Sequence, residues 1–174
     1  MDVTDKANTV IISKTPYHGA AYTHQGWVTN PENMNYLLLD DELDEMDQTG
    51  HAANNHTTTY VFDIESLAEP VNTGFYQSPV KSIDHNMYII NGIAYQANYN
   101  SGLRIVDIRS VEDKPDGSGF EQLGFFDCHP EDDEVGGKVE FSGSWSNYPY
   151  FPSGYILLNS IERGVYSLKY TGEK

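Results

Sequence analysis

The stretch Ser101-Gly-Leu-Arg-Ile-Val-Asp-Ile108 constrains this chain most, because versions of it recur where a new strand has to begin. Thr59-Tyr-Val-Phe-Asp-Ile64 matches residues 103–108, Gly164-Val-Tyr-Ser-Leu168 matches residues 102–106, and Met1-Asp2-Val3 matches residues 106–108. A β-type segment that recurs with other strand candidates between its copies marks a repeat architecture, in which each unit buries its faces only against its neighbours.

The most complete copy sets the size of the unit. It runs from residues 83–89 through an Asn91-Gly92 turn to residues 93–97, then through Asn-Tyr-Asn-Ser-Gly to residues 103–108, and closes with residues 121–126. Asn-Gly between alternating apolar runs is the strongest short hairpin signal. Four hairpin-linked strands in about 45 residues make one propeller blade. The expected fold is therefore all-β, a partial β-propeller-like repeat of about three four-stranded blades with the first and last incomplete. Residues 1–20 would end a preceding blade, with residues 10–13 as a strand. Residues 21–80 and 81–128 would each form a blade, and residues 139–174 a last one of three strands. Strands are expected at 36–39, 59–64, 86–90, 93–97, 103–108, 121–126, 155–158 and 164–169, with essentially no helix. Three blades are too few for a closed ring, so the chain is expected to form an open arc, or to follow further blades in a longer parent.

Charge narrows the partners. The 174 residues carry a formal charge of −16 with only ten Lys and Arg, which argues against nucleic acid or an anionic membrane and favours cations or basic surfaces. Aromatics at 13% and hydrophobics at 39% belong to a folded domain. No run approaches 18 apolar residues, and Met1 is followed by Asp-Val-Thr-Asp, so neither direct membrane insertion nor a signal peptide is read in this chain. Residues 41–57 combine acids with Gly, Asn and Thr and have no apolar period, so a mobile, solvated loop remote from the core is expected. The single Cys128 allows no internal disulfide.

Several phrases together resemble the LVIVD-repeat, choice-of-anchor B family of β-propeller-like proteins. They are Tyr22-Thr-His-Gln-Gly-Trp27, Leu38-Leu-Asp-Asp-Glu-Leu-Asp-Glu45, Thr59-Tyr-Val-Phe-Asp63, Asp84-His-Asn-Met-Tyr88, Gln96-Ala-Asn-Tyr-Asn-Ser-Gly-Leu-Arg-Ile105, and Trp145-Ser-Asn-Tyr-Pro149 with Ser160-Ile-Glu-Arg-Gly164. The resemblance spans nearly the whole chain. It implies an extracellular or cell-surface protein, longer than this one, with repeats before the segment equivalent to Met1. It brings no catalytic residues. One departure is Thr57-Thr58-Thr59, where a basic residue is expected before the Thr-Tyr-Val strand.

His24 and His85 hold equivalent positions in consecutive copies, and Trp145 holds that position in the third. Two imidazoles converging from neighbouring inner strands suit a transition metal such as Zn, with Asp84 or Asp40 as the carboxylate partner. The structural alternative is that each ring bonds a backbone carbonyl and sets the spacing of the blades. The acids of residues 40–47 are numerous enough for Ca²⁺ but lack EF-hand spacing. Gln25, Asn86, Trp27 and Trp145, with Tyr148 and Tyr150, are candidates to line a ligand surface, against the alternative that large rings fill gaps between blades. No nucleophile motif is present. The leading expectation is a non-enzymatic binding or scaffold module that presents its loop face to a protein or small ligand. The other is a metal-dependent enzyme centred on His24 and His85.

Overall fold

The computed structural model describes residues 1–172, and these form eleven strands in three antiparallel sheets. The first sheet is β1 (Thr23–Val28), β2 (Tyr36–Asp41), β3 (His56–Asp63) and β4 (Val71–Lys81), paired in chain order. The second is β5 (Asn86–Ile90), β6 (Ile93–Ala97), β7 (Leu103–Asp107) and β8 (Glu121–Phe126), also in chain order. The third has β9 (Ser144–Tyr148), β10 (Tyr155–Ser160) and β11 (Gly164–Lys169). The eight expected strands are therefore present, with ends shifted by no more than about three residues.

The repeat has a local cause. Gly102 and Gly164, matched in the sequence, open β7 and β11 with φ of +72° and +83°, a conformation that an L side chain adopts only with strain. Asn91 and Gly92 take φ of +51° and +74°, the left-handed pair that a two-residue turn between β5 and β6 requires.

Strand alternation then builds two cores between sheets. Tyr36, Leu38 and Val61 of the first sheet pack against Met87, Ile89, Ala94 and Val106 of the second. Tyr95, Ala97, Leu103 and Ile105, on the other face of the second sheet, pack against Ile156 and Leu158 of the third. Period-two alternation thus makes the middle sheet apolar on both faces. The edge strand β5 of the second sheet contacts β1 of the first and β9 of the third, which also contacts β6.

Two expectations fail. Residues 10–13 form no strand; a single bridge between Asp2 and Val10 is the only pairing there, and the segment instead hangs on the first sheet through Ser13 and Thr15, whose hydroxyls donate to the carbonyls of Leu67 and Pro70. The segment of residues 41–57 is neither remote nor wholly solvated. It folds into a single turn α1 (Asp44–Asp47) and a 3₁₀ turn (Gly50–Asn54), with Asp41, Asp44, Glu45 and Ala52 fully buried. Composition signalled a surface loop, but protein donors replaced water: the Asp41 carboxylate accepts from the backbone N–H groups of Ala21 and Tyr22 at 2.8 and 2.5 Å and from the Tyr17 hydroxyl at 2.5 Å.

Candidate functional site

The equivalence of His24, His85 and Trp145 is spatial as well as textual. The His24 and His85 rings stack with centroids 4.6 Å apart, and the Trp145 ring meets His85 edge-on at 4.7 Å. Each residue sits at the opening of an inner strand, so the meeting of β1, β5 and β9 brings the three together.

The carboxylate that joins the imidazoles is Glu42. Its backbone N–H donates to the Tyr22 carbonyl just beyond the end of β2, which holds it beside β1. Glu42 Oε2 lies 3.1 Å from His24 Nδ1, and Oε1 lies 3.5 Å from His85 Nε2. The Tyr99 hydroxyl donates to Oε1 at 2.5 Å. Burial, and then the neighbouring Glu42, raise the Tyr99 pKa, so this hydroxyl stays protonated. On the far side of its ring, His85 Nδ1 meets the Trp145 carbonyl at 2.5 Å. A carbonyl only accepts, so in this contact the hydrogen sits on Nδ1. Burial lowers the His85 pKa and favours this neutral ring.

Asp40 and Asp84 do not join this group. They lie in a separate buried cluster with Asp44 and Glu45. Nothing local signals that residues 44 and 45 turn inward; the one hint is that Asp40 and Asp41 directly end an apolar strand.

The amides next to the two histidines work as clips between sheets. Gln25 donates through Nε2 to the Met87 carbonyl at 2.9 Å and accepts from the Met87 N–H at 2.7 Å, so its side chain pairs with the free edge of β5 as a further strand would. Asn86, at the same repeat position one sheet later, donates to the Trp145 carbonyl at 3.0 Å and reaches β9.

Of the aromatic candidates, Trp27 is half-buried and packs against the core between the first two sheets, and the other three stand in the open. Trp145 is 48% exposed, Tyr148 50% and Tyr150 38%, so none of the three fills a gap between sheets. Trp27, Tyr88 and Tyr148 each lie three positions after His24, His85 and Trp145, a register readable in the sequence once those three are aligned. Ring contacts run from Trp27 to Tyr88 at 5.0 Å, to Tyr150 at 5.9 Å, to Tyr148 at 5.5 Å and to Phe151 at 4.9 Å. A groove of about 450 Å³ beside this strip is lined by Ile90, Tyr95, Tyr150, Phe151 and Pro152.

Cys128 and His129, adjacent in sequence, form no nucleophilic pair. The thiol is buried, and burial followed by the Asp127 charge pushes its pKa up to about 11. His129 Nδ1 turns instead toward Glu131 and Asp132, at 3.7 and 3.8 Å.

No family model matches the chain, and neither a curated protein nor a solved structure does. Among the described residues, no helix is long and apolar enough to cross a membrane.

Proposed function

We propose that the chain is a non-enzymatic binding module of the β-propeller-like repeat type, exported or displayed at the cell surface, whose inner strands present an aromatic strip to a Lys- and Arg-bearing segment of another protein. The strip carries this reading. Five rings are in continuous contact, three of them at one position of the repeat; Trp27 and Tyr88 are half-buried at one end, while Tyr148, Tyr150 and Phe151 hold apolar area in water. The faces of Trp and Tyr attract ammonium and guanidinium groups, and a net charge of −16 draws them from a distance. Location outside the cell rests on the LVIVD-repeat resemblance. The blade assignment is supported by three antiparallel sheets whose strands β1 and β9 both contact β5.

Tryptophan fluorescence titrated with a Lys- and Arg-rich peptide tests the reading. Binding is expected at low salt, weaker at high salt, and lost in a Tyr148→Ala, Tyr150→Ala double variant. Equal affinity for the peptide and for its Glu-substituted counterpart, or binding untouched by the double variant, would remove the proposal.

A second reading is favoured by the imidazole pair. Ligands of one tetrahedral ion at 2.0–2.1 Å lie about 3.3 Å apart, and the Glu42 oxygens stand 3.1 and 3.5 Å from the two histidine nitrogens. On this reading His24, His85 and Glu42 hold a Zn-class ion, the Trp145 carbonyl fixes the His85 tautomer, and partly exposed His24 leaves one side open to substrate. Zinc retained at one per chain and lost in His24→Ala supports it; zinc-free protein after reconstitution excludes it.

A further inference from the structure

Asp40, Asp44, Glu45 and Asp84 are all fully buried, and each has one oxygen held and one oxygen free. The Thr59 hydroxyl donates to Asp40 Oδ1 at 3.4 Å, the Tyr60 hydroxyl to Asp44 Oδ2 at 2.8 Å, the Thr58 N–H to Glu45 Oε1 at 2.9 Å, and the Asp41 N–H to Asp84 Oδ2 at 3.3 Å. Among the described residues, no N–H or hydroxyl donor outside the four carboxyls reaches the opposite oxygens, Asp40 Oδ2, Asp44 Oδ1, Glu45 Oε2 and Asp84 Oδ1, and the buried hydroxyl of Thr57 has no partner. Oxygens of Asp44, Glu45 and Asp84 lie within 4.8 Å of one another, and the Asp40 carboxyl is in hydrogen-bonding range of Asp84. Among the described residues, no Lys, Arg or His forms an ion pair with any of the four.

We infer that Asp44, Glu45 and Asp84 bind one divalent cation of the hard, oxygen-ligated class, with Ca²⁺ as its natural occupant, and that Asp40 stands behind Asp84. Four buried carboxylates without a counter-charge are untenable as anions, since each unpaired buried ion costs several kcal/mol. The one-held, one-free pattern is what donors behind a coordination sphere produce, because they aim the remaining oxygen inward. All the donor atoms are oxygen, which disfavours Zn and Cu. Ligands at 2.3–2.6 Å on opposite sides of one Ca²⁺ stand about 5 Å apart, which accommodates the 4.8 Å spread. Mg²⁺ fits less well, because it retains several waters, and the four carboxyl side chains are fully buried.

Protons are the competing occupant. Burial pushes the Asp40 carboxyl up to about 7 and the Asp44 carboxyl up to about 6, and raises Glu45 and Asp84 well above the ordinary range, so without an ion shared protons would neutralise part of the charge.

Calcium and terbium separate the two. The full chain is unfolded in denaturant with chelator, because the cluster is buried, and refolded with or without Ca²⁺. One Ca²⁺ per chain should survive desalting, and melting should rise by about 5–10 °C at a hundredfold excess over Kd. Tb³⁺ in the cluster should emit on excitation of Tyr60, whose hydroxyl touches Asp44. Asp84→Asn and Glu45→Gln should each abolish retention and emission, while His85→Ala keeps both. If Asp84→Asn does not fold, Glu45→Gln and the wild-type stoichiometry decide. Wild-type protein that retains no ion and melts at the same temperature with and without Ca²⁺ overturns the inference, as does retention that survives Glu45→Gln.

Discussion

Replacing Gln25 with Ala removes the clip between the first two sheets, and the structure sets the size of the loss. Met87 is fully buried on the edge strand β5, and the N–H and C=O that it turns toward β1 are satisfied by the Gln25 amide at 2.7 and 2.9 Å. Each such hydrogen bond is worth about 0.5–1.5 kcal/mol net, and a buried backbone group left unpaired costs about 1–3 kcal/mol. Gln25 is itself only half-buried, so water reaches part of the vacated space and limits the cost. The expected destabilisation is about 2–3 kcal/mol. For a chain of this size that corresponds to a fall of roughly 5–10 °C in melting temperature. Urea denaturation followed by circular dichroism reads it as a lower midpoint with an unchanged slope. Asn86→Ala, which removes one bond to Trp145, should cost about half as much. A Gln25→Ala midpoint within error of wild type would show that the sheets hold together by apolar contact alone.

Two further outcomes follow from the packing and from the charges. Leu158→Ala, at a fully buried site between the second and third sheets, should cost about 2–5 kcal/mol in the same assay, whereas Val165→Ala, on an exposed position of β11, should stay within about 0.5 kcal/mol. In protein kept free of divalent ions, stability should fall as pH rises. The folded-state pKa of Asp40 lies near 7 and its unfolded value near 4, so the native state holds the extra proton between them and loses that advantage through this window. Metal-free melting temperatures that climb from pH 4 to pH 7 would contradict this direction.

The strands were legible in the sequence because their signals are local. Period-two alternation in residues 93–97 and 103–107, the Asn91-Gly92 turn and the matched Gly102 and Gly164 depend only on backbone sterics and on which residues shun water. The juxtaposition of His24 and His85 was legible for the same reason, since repeats place equivalent residues alike. The segment of residues 41–57 was misread because its fate depends on donors far away in the chain. Composition reports how costly a carboxylate is to bury, but not whether backbone N–H groups at Ala21 and Tyr22, or the hydroxyls of Tyr17 and Tyr60, wait to receive it.

Repeat phase determined that three sheets exist and which residues open their inner strands. Tertiary structure decided which carboxylate each histidine meets. Glu42 reaches them because it lies just past the end of β2, where Asp41 pairs with Thr23 at the opening of β1, while Asp40, inside the strand, meets Asp84. Side chains two apart on a strand share a face only while the strand lasts. Where β2 ends at Asp41, the chain turns and one run of acids divides between a half-open imidazole site and a buried carboxylate cluster, a division set by the packing of three sheets and absent from any local pattern.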